Sequence, residues 1–156
     1  MNPATIKDCI QACRTAYDHD EPSYAAKITN FLAAWSTWEA LRTRLIRVVI
    51  HHQGWMIKDA DEALAVLRIS GTKKAGDILS HFTTIHPSNW VGKSGSTWNT
   101  LLAIEPMRHK LTHGFKTIDP EKIKLATAIV ITALEDQSWL ETVELKPETS
   151  DSPINR

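Results

Sequence analysis

Between Pro22 and Gly54 the chain contains neither glycine nor proline, and its apolar residues return at every third or fourth place. Ala25, Ile28, Phe31, Leu32, Trp35, Trp38, Leu41, Leu45 and Val48 form one stripe, the mark of an amphipathic helix. One long helix is predicted from Pro22, a favourable first-turn residue, to about His52. It excludes a β fold in this part of the chain.

The rest of the sequence carries the same period. Ile6, Cys9, Ile10 and Cys13 place a first helix at about residues 5–17. Asp59 and Glu62 resemble a capping box that opens a short helix to about Arg68, broken by Ser70-Gly71-Thr72. Ile78, Leu79, Phe82 and Ile85 predict a further helix that stops at Pro87. His86 to Ser96, rich in Pro, Gly and Ser, reads as a surface loop. Ser96 can cap a helix carrying Trp98, Leu101, Leu102, Met107 and Leu111, which Pro106 should kink or split and Gly114 should end. Asp119-Pro120 opens the last helix, to about Trp139. Alternating strand patterns and internal repeats are absent from the sequence. The expectation is an all-α, up-and-down bundle of five to six helices with one long second helix. It forms a single domain over residues 1–144, with a disordered tail at 145–156.

Composition narrows the function classes. The 156 residues balance 18 Lys+Arg against 18 Asp+Glu, which excludes a uniformly basic nucleic-acid coat but permits a local basic patch. Six Trp offer large apolar surfaces for a core. Cys9 and Cys13 are one helical turn apart, and two thiols do not complete a zinc tetrahedron. They read as small core hydrophobes in a reducing compartment. Without a signal-like apolar block or a run of ~20 apolar residues, the chain is expected to be soluble and cytoplasmic, with no membrane partner.

Several motifs invite chemistry. Gly92-Lys93-Ser94 is no phosphate loop, because Pro87 stands where the first glycine belongs. His109 and His113 are one turn apart, but Lys110 takes the place of the glutamate in a hydrolytic zinc motif. Neither a resident metal nor a cofactor is therefore expected. Arg42, Arg44, Arg47 and Lys58 have no acid between them; they suit either a solvated face or a phosphate-binding strip. Four Arg/His pairs are spaced five to seven apart: Arg14/His19, Arg44/His51, Arg47/His52 and Arg108/His113. Only Arg108 combines a polar follower, His109, with a helix end at Gly114.

Arg108-His109-Lys110-Leu111-Thr112-His113-Gly114 resembles the signature of the HEPN family (higher eukaryotes and prokaryotes nucleotide-binding). In that family an Arg, often followed by a polar residue, precedes a His that is often followed by Gly. The helix carrying Trp35, Trp38 and Glu39 ahead of the motif adds to the resemblance. Many members are metal-independent RNases, and the resemblance implies that role here. It makes His113 the acid/base, Arg108 the phosphate clamp, His109 a polar assistant and Glu39 the carboxylate that orients Arg108. Arg44, Arg47 and Lys110 become candidate RNA contacts. It also implies a homodimer with a shared site, and a toxin or antiviral role in which an antitoxin protein is a possible partner.

The chemistry suits the residue types. An RNA 2′-hydroxyl that attacks the adjacent phosphorus needs a base, an acid for the departing 5′-oxygen, and positive charge on the phosphorane. Imidazole serves either proton transfer near neutral pH, and guanidinium clamps phosphate oxygens in pairs. Two other readings stay open: a catalytically silent HEPN-like module that binds nucleotide, RNA or protein, and an unrelated bundle that serves as an interaction subunit.

Overall fold

The computed structural model describes residues 2–52, 54, 56–67, 71–82, 96–114 and 117–144. Within them are seven helices: α1 (Pro3–His19), α2 (Tyr24–His52), α3 (Ile57–Leu67), α4 (Thr72–Phe82), α5 (Thr97–His113), α6 (Pro120–Leu134) and α7 (Gln137–Val143). The protein is an all-α bundle. The expected end of the helix before Pro87, the loop expected from His86 up to the residue before Ser96, and the tail expected at 145–156 lie outside the described residues.

α2 is the axis. At about 1.5 Å per residue its 29 residues span about 44 Å, and it packs against each of the other six helices. Phe31, Ala34, Trp35, Trp38, Leu41, Leu45, Ile46 and Val49 are all buried along it. α6 answers with Ile123, Ala126, Thr127, Val130, Ile131 and Leu134, the three–four spacing of one apolar face. From α1, Ile6, Ile10 and Cys13 complete this side of the core.

The ends of the helices follow local chemistry. Asn2, Ser96, Asp119 and Asp136 each accept a backbone N–H of the turn they cap. Gly114, in the left-handed region at φ 63°, closes α5. Asp20 closes α1 in the same region at φ 48°, a conformation that Asp tolerates better than most residues. Its carboxylate bonds Lys124 and lies 3.7 Å from Lys27; the Lys124 bond holds it below the usual carboxylate pKa.

Four expectations about boundaries change. α2 starts at Tyr24, not Pro22, because the Ser23 hydroxyl accepts from the Ala26 N–H and serves as the cap. α3 opens two residues before Asp59, which sits in its first turn. Pro106 does not split α5, which continues through it to His113. The expected last helix stops at Leu134, and Asp136 caps a separate α7.

Three tryptophans from three helices meet in the core. Trp38 of α2 lies 5.2 Å from Trp98 of α5 and 4.9 Å from Trp139 of α7, centroid to centroid. Together they pin α5 and α7 to the axis. Trp98 fits only because α4 presents Gly76 to it: a Cβ there would stand 2.7 Å from the indole Nε1. Gly76→Ala should therefore destabilise the fold. The expected loss is about 1–2 kcal/mol, since overpacking costs more than the roughly 1 kcal/mol gained in helix propensity. Thermal unfolding checks it; an unchanged or raised Tm would contradict the close packing.

Candidate functional site

The buried stripe of α5 changes character along its length. Trp98 and Leu101 are apolar and fully buried, and the next positions on the same side are Glu105 and Arg108. The facing stripe of α2 changes too, because Arg42 stands between Trp38 and Leu45 and is only 5% exposed. Two Glu-x-x-Arg segments thus oppose each other in antiparallel sense. Arg42 Nη1 lies 3.5 Å from Glu105 Oε1, and Arg108 Nε lies 3.7 Å from Glu39 Oε1.

Thr72, at the start of α4 and fully buried, joins this cross-pairing. Its hydroxyl accepts from Arg42 Nη1 at 3.0 Å and Trp38 Nε1 at 3.3 Å, and donates to Glu105 Oε1 at 3.1 Å. One donor and two acceptor sites are then all used. The Thr72 amide also donates to Glu105 Oε1, and its carbonyl accepts from Trp98 Nε1. Burial pushes the Arg42 guanidinium below the usual arginine pKa, and Glu105 and then Glu39 oppose that. The expectation of a solvated face or phosphate strip fails for Arg42, which is a core residue.

Glu39 is itself held. Its Oε1 accepts from Trp35 Nε1 at 3.1 Å as well as facing Arg108. The Arg108 side chain is 37% exposed, so one side meets the carboxylate and part of it meets solvent. His109, the next residue, and His113, one turn after it, are exposed with ring centroids 4.3 Å apart and planes inclined at 58°. α5 is continuous here, so at about 100° per residue positions 108 and 113 diverge by about 140°. The structure joins Glu39 to Arg108 and His109 to His113; it does not turn Arg108 and His113 to one side of the helix.

The proposed RNA contacts are separate. Arg47 Nε lies 2.6 Å from Asp61 Oδ1, an acid that α3 supplies from outside the basic segment. Arg44 is half-buried; burial, then Arg47, lowers its pKa. Lys110 borders an open groove of about 390 Å³ between α5 and the start of α6, with Pro106, Met107, Ile118 and Lys122. Of the other Arg/His pairs, Arg14 is engaged by Glu135 of the α6 cap, and His51 and His52 end α2 half-buried.

The sequence pattern did not point to Glu105, marked Thr72 only as part of a helix break, and placed Arg42 in a basic strip rather than the core. The signal was present: Arg42 falls four after Trp38 and three before Leu45, on the apolar stripe. Cys13 is buried 3.6 Å from the Thr37 hydroxyl, and burial raises its thiol pKa, while Cys9 is half-buried. No group of three or more metal-ligating side chains occurs among the described residues, and none of their helices is long and apolar enough to cross a membrane.

Comparison with models of known protein families, with curated proteins and with solved structures gives no match.

Thr72→Val removes a hydroxyl at nearly constant shape and leaves the Trp38 N–H and one Arg42 N–H without their acceptor. It should cost about 2–4 kcal/mol, with Thr72→Ser costing about 1 kcal/mol. Denaturant unfolding of the two variants measures this; equal effects would remove Thr72 from its place as the junction.

Proposed function

We propose that the chain is an HEPN-like, metal-independent endoribonuclease, with Arg108 as phosphate clamp, His113 as acid/base, His109 as assistant and Glu39 as the carboxylate that orients Arg108. The observation that carries the reading is the Trp35–Glu39–Arg108 chain beside exposed histidines. A half-exposed guanidinium fixed on one side by a carboxylate is preorganised for a phosphate on its other side. The identity of the motif residues adds the family resemblance.

In this reading the 2′-oxygen forms a bond to phosphorus and gives its proton to one imidazole. The bond from phosphorus to the 5′-oxygen breaks as a second imidazole protonates the leaving oxygen. The products are a 2′,3′-cyclic phosphate and a 5′-hydroxyl. Arg108 balances the charge of the phosphorane.

The ~140° divergence of 108 and 113 on one helix favours a site shared by two copies, in which His113 of each serves the Arg108 of the other across a two-fold axis. Trp35, Trp38, Trp98 and Trp139 are committed to the core, so the exposed face of α5 supplies that contact without them. Arg44, Arg47 and Lys110 extend the RNA track, and a toxin or defence role, with an antitoxin as partner, follows from the resemblance. The same divergence also favours a second reading, a catalytically silent RNA- or nucleotide-binding module.

Purified protein should cut single-stranded RNA in excess chelator, leave cyclic phosphate ends, spare DNA, and sediment near twice 17.5 kDa. His113→Ala should abolish cleavage while retaining fold and most RNA affinity, and Arg108→Lys should lose at least about tenfold because ammonium lacks the planar fork. RNA binding without cleavage would select the silent module. Activity lost to chelator and restored by Mg²⁺ or Mn²⁺ would overturn the mechanism.

A further inference from the structure

We infer that His109 and His113 form a two-imidazole site for a borderline divalent transition ion, for which Zn²⁺ and Ni²⁺ are the probes. Imidazole is the common protein ligand for both ions. These are the two histidines of the chain spaced four apart, and the unbroken helix through Pro106 keeps that spacing as one turn.

The ring geometry is close to that of a chelate. With metal–nitrogen bonds of about 2.0–2.1 Å, each ring centre would lie roughly 3.2 Å from the ion; at ligand angles of about 90–109° the centres would be roughly 4.5–5.2 Å apart. The observed separation is 4.3 Å, and the rings are inclined at 58° rather than stacked flat. Both side chains are exposed, and the pair has to open by only several tenths of an ångström to reach that range. His113 lies in the last turn of α5, where the helix dipole favours a cation, and His109 one turn before it. Among the described residues, a Cβ built on Gly114 meets nothing within 4 Å.

Two features keep the affinity moderate. Arg108 and Lys110 add positive charge on the same two turns, although Glu39 faces Arg108. Two protein ligands also leave the remaining coordination positions to water. Such an ion exchanges readily, as a regulatory ion does. Bound to both rings, it withholds the nitrogen lone pairs and protons that cleavage needs, so the ion inhibits. That consequence rests on the ribonuclease reading; the binding itself does not.

Isothermal titration of the tag-free full chain with NiCl₂ and with ZnCl₂, at mildly alkaline pH because only neutral imidazole ligates, tests the site. One ion per chain should bind. His109→Ala and His113→Ala should each weaken it at least about tenfold, with unchanged circular dichroism, while His19→Ala binds like the parent. If both alanine variants at 109 and 113 bind like the parent, the site is overturned. In parallel, saturating Zn²⁺ should stop RNA cleavage and chelator should restore it. An active enzyme that binds Zn²⁺ without inhibition overturns the regulatory role, whereas a chain that never cuts RNA overturns the ribonuclease reading and leaves the titration to decide the site.

Discussion

The Arg42–Glu105 pair, closed over Thr72, is the contact on which the arrangement of α2, α4 and α5 depends. A guanidinium that is 5% exposed has lost most of its water, and buried pairs of this kind often return little net stability. What the pair does supply is register. Sliding or rotating α5 against α2 by one residue would leave the buried Arg42 without Glu105, Thr72 without its acceptor and Trp98 without the Thr72 carbonyl. Apolar contacts alone would tolerate that slip far better. The tryptophan cluster fills space around the junction, and the polar atoms choose one of the packings it would allow.

Register matters because Arg108 lies one turn beyond Glu105. Once Glu105 is fixed to α4 and α2, Arg108 is carried to Glu39, whose carboxylate Trp35 already holds. Arg42 of the inner pair is buried and Glu105 half-buried, while both members of the outer pair are about one-third exposed, so the cross-pairing runs from the core towards the surface. The exposed end is where a phosphate could meet the guanidinium, and the histidines follow directly on the same helix.

Much of this was legible in the amino-acid sequence. The three–four period of α2, the Ser96 and Asp119 caps and the Gly114 stop depend on neighbours within a turn or two, and the structure keeps them. Glu39 was tied to Arg108 only through a family resemblance, and the structure places the two carboxylate and guanidinium groups together. Arg42 was misread because charge suggests solvent, while its acid partner comes from a helix 63 residues away. Asp61 escaped notice as the partner of Arg47 for the same reason. Pro106 suggested a break, yet tertiary packing of Trp98, Leu101 and Ile104 holds α5 in one piece.

The most direct test of this account is a double-mutant cycle on Arg42→Met and Glu105→Gln, read as unfolding free energy in denaturant. Glu105→Gln leaves the buried Arg42 without its acid and should cost about 2–4 kcal/mol, whereas Arg42→Met leaves the half-buried Glu105 unpaired and should cost about 1–3 kcal/mol. The double variant should be more stable than the sum implies by at least about 1 kcal/mol, because neither partner is then left alone. Effects that add to within about 0.5 kcal/mol would mean that the pair does not hold α2 and α5 in register.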